Sequence, residues 1–213
     1  AAEWALTAFR TAMAEGAFEP AQEAAQELSA CAASDDARLA ADICHADALR
    51  AQGDLARARQ QLLRLDLSRA EPRTALRARV LAASLRDALR DPDVEEGLKL
   101  IADTDATNDL ELKLEARLAV ARRVGGAAGL SLADEAVELA EGFDLARRYR
   151  ARDVRVVVNH QQARCDLAKL QEDVARASEL AATANVHWMT IESAMNLAVV
   201  VAEELLGGDR VDP

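Results

Sequence analysis

Apolar positions recur at three- and four-residue spacing along nearly the whole chain, interrupted by glycine, proline or a capping residue. That pattern predicts about eleven helices, near 2–15, 19–33, 35–52, 54–66, 72–90, 92–104, 108–124, 131–142, 145–165, 168–184 and 187–206. Gly16 and Gly53 fit the left-handed residue that ends a helix. Ser34 and Thr107 fit N-caps, Asp91-Pro92 fits a cap with proline at the first helical position, and Ser131 with Asp134 fits a capping box. Two segments strain the pattern. Asp153–His160 is rich in β-branched valine, as a strand would be, but its flanks are strong helix formers, so a helix is expected. Gly125-Gly126-Ala127-Ala128-Gly129 is expected to be a flexible connection.

The helices come in pairs, and the pairs repeat. Gly16-Ala17-Phe18 is followed by Ala21, Ala25 and Leu28, and Gly53-Asp54-Leu55 by Ala58, Leu62 and Leu65. The small anchoring residue returns at Ala21, Ala58, Gly97, Ala136 and Ala177, at intervals of 37, 39, 39 and 41 residues. Such a period predicts stacked helical hairpins, because one hairpin cannot bury its own apolar face. The expected architecture is all-α, an α-solenoid forming one domain over 1–213: five hairpins and a terminal helix. That helix is apolar nearly all round between Ile191 and Leu206, and so expects neighbours on both sides. Self-association through it is one expected outcome. The following Gly207-Gly208 resembles another turn, which suggests a fragment of a longer protein.

The pattern Gly-x-aromatic/Leu-x-x-Ala-x-x-x-Ala/Leu-x-x-Leu, best kept at Gly16–Leu28 and Gly53–Leu65, resembles the tetratricopeptide repeat. Asn196-Leu197-Ala198 is similar to the Asn-Leu-Gly of such a repeat's first helix. Longer, degenerate copies of this kind resemble the repeat domains of large bacterial regulators, the LuxR-like activators of the maltose-activator type. The resemblance implies a right-handed superhelix whose first helices line a concave groove for a peptide, a protein or an effector.

Composition narrows the partners. With 37 acidic and 26 basic residues the net charge is −11, which disfavours phosphate backbones, and aromatics at 3% leave few stacking platforms for bases. No run approaches the roughly 20 apolar residues of a membrane span. Cys31, Cys44 and Cys165 form no CxxC pair and are expected as reduced, buried thiols on helices, in keeping with the cytoplasm. Trp4 and Trp188 are expected to pack at the two end hairpins.

No hydrolase, metalloprotease or phosphate-loop motif occurs in the sequence. Asp103–Asp109 resembles a calcium loop, but it has Asn108 where glycine is needed and Leu114 where the bidentate glutamate belongs. His45, His160 and His187 fall on different hairpins, so no metal site is expected, and no cofactor. Arginine is more informative. Arg79, Arg86 and Arg90 form one stripe on a first-of-pair helix, and Arg148, Arg152, Arg155, Asn159 and Gln162 form another. Arginine forks suit carboxylates and asparagine amides can clamp an extended backbone. Two readings of these stripes stand side by side: a groove for an acidic ligand, or a charged face paired with the protein's own acids such as Asp87 and Asp153. The expected function is a non-catalytic module binding a protein or peptide, with an effector-sensing domain as the alternative. If the groove reading holds, alanine at Arg152 and Arg155 weakens binding and leaves helicity intact.

Overall fold

The computed structural model describes residues 2–88, 93–162 and 165–205, with side chains except at 87, 88 and 203–205. The described residues are helical and contain no strand. The helices are α1 (Ala2–Glu15), α2 (Phe18–Ala30), α3 (Asp35–Ala51), α4 (Leu55–Leu63), α5 (Pro72–Ala88), α6 (Val94–Asp105), α7 (Leu110–Val124), α8 (Gly126–Ala140), α9 (Leu145–His160), α10 (Leu167–Ala184) and α11 (His187–Leu205). A 3-10 turn, Leu67–Arg69, lies between α4 and α5. The valine-rich segment is helical throughout within α9, where Val154, Val156 and Val158 are buried. Burial outweighs the modest helix cost of β-branching.

Among the described residues, six helices are seen to start on a side-chain cap. Ser34, Asp54, Asp93, Asp109, Asp144 and Asp166 each accept a hydrogen bond from the backbone N–H three residues on, at 2.9–3.1 Å. Each such cap is worth about 1 kcal/mol. Three sequence expectations shift here. Asp109 rather than Thr107 caps α7, and Thr107 instead accepts from the Asp109 N–H. Ser131 and Asp134 lie inside α8. Asp93 caps α6, while Asp91-Pro92 lies outside the described residues, as does the segment from Leu206 onward. Gly16 and Gly53 do take positive φ, 73° and 89°.

The chain packs as two compact units, 1–92 and 93–213, and their boundary falls inside the expected third hairpin. In the first unit each helix from α1 to α5 packs on the next, and α3 also meets α1 and α5. Phe9, Ala21, Ala25, Cys44 and Ala48 fill one cluster, and Ile43, Ala46, Ala78 and Leu81 another. In the second unit each helix from α6 to α11 packs on the next, and α9 also meets α7 and α11. Its core includes Tyr149, Ala177, Leu180 and Met189, with Val156, Leu170, Val174 and Val200 beside them. All five anchoring residues are buried, one on each of α2, α4, α6, α8 and α10.

The expected flexible connection at 125–129 is mostly helix. Only Gly125 and Gly126 take positive φ (59° and 55°), and α8 starts at once. Gly129 is buried, and a Cβ added there would lie 2.5 Å from the Ala121 carbonyl oxygen. Gly125 and Gly126 supply the positive-φ turn, and Gly129 lets α8 approach the α7 backbone closely. At Gly97 an added Cβ would meet side chains, a Val120 methyl at 3.0 Å being the nearest atom. Gly129→Ala is therefore expected to destabilise by roughly 1–3 kcal/mol in urea unfolding, because backbone must move. Gly97→Ala is expected near neutral, since alanine's helix preference of about 1 kcal/mol offsets the contact.

Candidate functional site

Helix α9 carries five arginines, at 147, 148, 150, 152 and 155, and their spacing divides them between two faces. The face expected to line a groove instead meets the protein's own acids on α8, at its C-terminal end and on α10. Arg148 pairs with Glu141 at 2.6 Å. Arg152 bridges Glu141 (3.2 Å) and Asp173 (3.5 Å). The Arg155 Nε donates to Asp173 Oδ2 at 2.7 Å, its Nη2 donates to Asp173 Oδ1, and its Nη1 donates to Asp134 at 3.0 Å. Lys169 completes the cluster on Asp134 at 2.9 Å. Asp173 has no exposed surface. Burial pushes its carboxyl up, and Arg155, Arg152 and Lys169 pull it back.

Asn159 and Gln162 are engaged in the same way. Asn159 is fully buried; its amide donates to the Asp166 carbonyl (2.9 Å) and accepts from the Asp166 N–H (3.1 Å). The two-point clamp foreseen for a ligand backbone holds the α9–α10 connection. Gln162 donates to the carbonyls of Val158 and Gly126. In the first unit Arg79 and Arg86 are half-buried on α5 and engaged within the protein, and Arg90 lies outside the described residues. Of the eight candidate residues, Arg148, Arg152 and Arg155 share one ion-pair network, while Asn159 and Gln162 bond backbone groups beside it.

A second polar face, not singled out in the sequence, runs along α7, α9 and α11. Arg147 pairs with Glu111, and Arg150 reaches Glu115 with both terminal nitrogens at 3.2 and 3.3 Å. Arg122 donates to Asp153 at 2.9 Å, and Asn196 donates to the other Asp153 oxygen at 3.0 Å. These side chains are half-exposed, apart from the buried Asn196. Nearby, the buried Tyr149 ring meets Trp188 edge-on at 5.5 Å, and its hydroxyl has no hydrogen-bond partner among the described residues. Glu192 stands beside Asp153. Desolvation and that like charge push its carboxyl up to about 7, although its solvent-accessible position limits the effect on stability.

A readable signal did exist. Glu111 and Glu115 precede Arg147 and Arg150 by 36 and 35 residues, close to one repeat. In the first unit Asp36 likewise accepts from the Glu71 N–H and the Thr74 hydroxyl, 35 and 38 residues on. Polar links recur because, within each unit, first-of-pair helices meet one repeat apart: α1 with α3, α3 with α5, α7 with α9 and α9 with α11.

Other candidates resolve simply. Asp105 forms a bidentate pair with the buried Arg117, which also binds Glu135 at 2.8 Å. Asp109 is a cap, so that acidic stretch serves helix packing. Among the described residues no three His, Cys, Asp or Glu side chains converge. Of the cysteines only Cys44 is buried; Cys31 is exposed at the end of α2 and Cys165 is half-buried ahead of α10. Trp4 is exposed while Trp188 packs. Between α2 and α3 a cavity of about 360 Å³ is lined by Ala25, Gln26, Ser29, Ala30, Asp42 and His45. No protein-family model, curated protein or solved structure matches this chain.

Two expectations follow. Removing Arg155 leaves the buried Asp173 with the long contact to Arg152 and the more distant Lys169 charge, so Arg155→Ala lowers stability by about 3 kcal/mol in denaturant unfolding, and Arg148→Ala by well under 1 kcal/mol. For Glu192 the native carboxyl binds its proton more tightly than the ordinary one at 4.5, so stability falls as pH rises from about 4.5 to 7. Glu192→Gln removes that part of the slope, which urea midpoints at successive pH values measure.

Proposed function

We propose that the chain is a non-catalytic helical-repeat module that binds a protein or peptide segment across the face formed by α7, α9 and α11. The reading takes the hairpins as tetratricopeptide-like, stacked in a right-handed superhelix whose first helices line the concave side. The observation that carries it is the set of cross-links from Arg147 to Glu111, Arg150 to Glu115 and Arg122 to Asp153. They hold charged groups of both signs at fixed positions on adjacent helices while leaving them half-exposed. A pre-ordered polar face lowers the entropy lost when a peptide is captured. A cytoplasmic regulatory or scaffolding role suits such a module. The candidate stripe of Arg148, Arg152 and Arg155 then supports the face from behind rather than touching the ligand.

A second reading, an effector-sensing domain, rests on the cavity between α2 and α3, where Asp42 and His45 offer polar contacts beside the alanine walls.

Peptides selected from a random-sequence display library against this protein test the first reading. Fluorescence anisotropy is expected to show at least tenfold weaker binding for the Glu115→Ala/Arg150→Ala variant. Arg176→Ala, which removes an exposed pair with Glu179 on α10, is expected to bind as the unaltered protein does. Equal affinity in both variants would remove the assigned face.

A further inference from the structure

Helix α11 buries one face and leaves the opposite face apolar. Met189, Ser193, Asn196 and Val200 point inward at helical spacing. Ile191, Met195, Leu197 and Val201 are 47–64% exposed, with Ala194 and Ala198 exposed between them. No charged residue occurs from Ser193 to Ala202, in a chain that is 30% charged.

We propose that this face joins two copies of the chain, with their α11 helices antiparallel across a two-fold axis near Asn196. By helical spacing the exposed Glu192 falls to the side of this face, and the lack of charge on the face itself suits a second copy. A surface that meets itself places every residue opposite a like residue or its symmetry mate, so any acid in it would be opposed by another acid. Two chains of charge −11 repel elsewhere, and only an uncharged seam lets them touch without adding to that repulsion. Antiparallel packing also aligns the helix macrodipoles favourably. It sets Ile191 of one copy beside Val201 of the other, with Ala194 and Ala198 letting the axes approach. The exposed apolar area is on the order of 400 Å² per copy, about half that of a standard interface, so the pair is weak and exchanges at micromolar concentrations.

Sedimentation velocity over about two decades of concentration tests this. The expected result is a monomer–dimer equilibrium that tightens as salt screens the repulsion. Ala198→Glu abolishes it with the circular dichroism spectrum unchanged, whereas Ala182→Glu, which adds the same charge on exposed α10, leaves the dimer. Ile191→Lys and Val201→Glu each weaken association, and both together in one chain restore it. A monomer at every concentration, a dimer that survives Ala198→Glu or weakens with salt, or failure of the paired charges to restore association would each overturn the proposal.

Discussion

The second unit depends on a carboxylate with no exposed surface. Asp173 on α10 is held by Arg155 and Arg152 of α9, and neither side can leave without stranding a charge. Taking an ion out of water costs several kcal/mol, and the Arg155 fork recovers it only with two well-placed contacts. That requirement fixes the rotation of α9. Once Arg148, Arg152 and Arg155 turn toward α8 and α10, Arg150 and Asp153 must turn toward α7 and α11. Tyr149 and Val156 then fall into the apolar clusters with α10 and α11.

The excess of acid follows from the same logic. Five aspartates cap helices, and others close arginine pairs between helices. Alanine brings the helix axes close but fills little volume, so directional polar links set the orientation that large side chains would otherwise set. Arginine suits these positions better than lysine because one guanidinium reaches two acids, as Arg117 and Arg155 do. A polar face held in this way stays rigid while it remains wet, which a peptide-binding surface needs.

The helices, their number and the five buried anchors were legible because hydrophobic period and small-residue spacing are local properties. The valine segment was legible from its flanks. Which face of α9 met which neighbour was not. The stripe of Arg148, Arg152, Arg155 and Asn159 can be read from spacing, but its partners Asp134, Glu141 and Asp173 lie on two other helices. Periodicity gives relative angles and no absolute rotation. The glycines at 125–129 misled for a related reason. Glycine signals a turn or a close approach equally well, and only the Ala121 carbonyl opposite Gly129 distinguishes the two. The exposed Cys31 follows from α2 ending at Ala30, a boundary that composition does not mark.

Native-state hydrogen exchange on the unaltered protein asks most directly whether α9 is the member on which the second unit depends. Amides of Val154–Val158 are predicted to exchange only through global unfolding, with the slowest rates in residues 93–205. Exchange there as fast as in α6 or in the exposed turns of α11 would contradict a central α9.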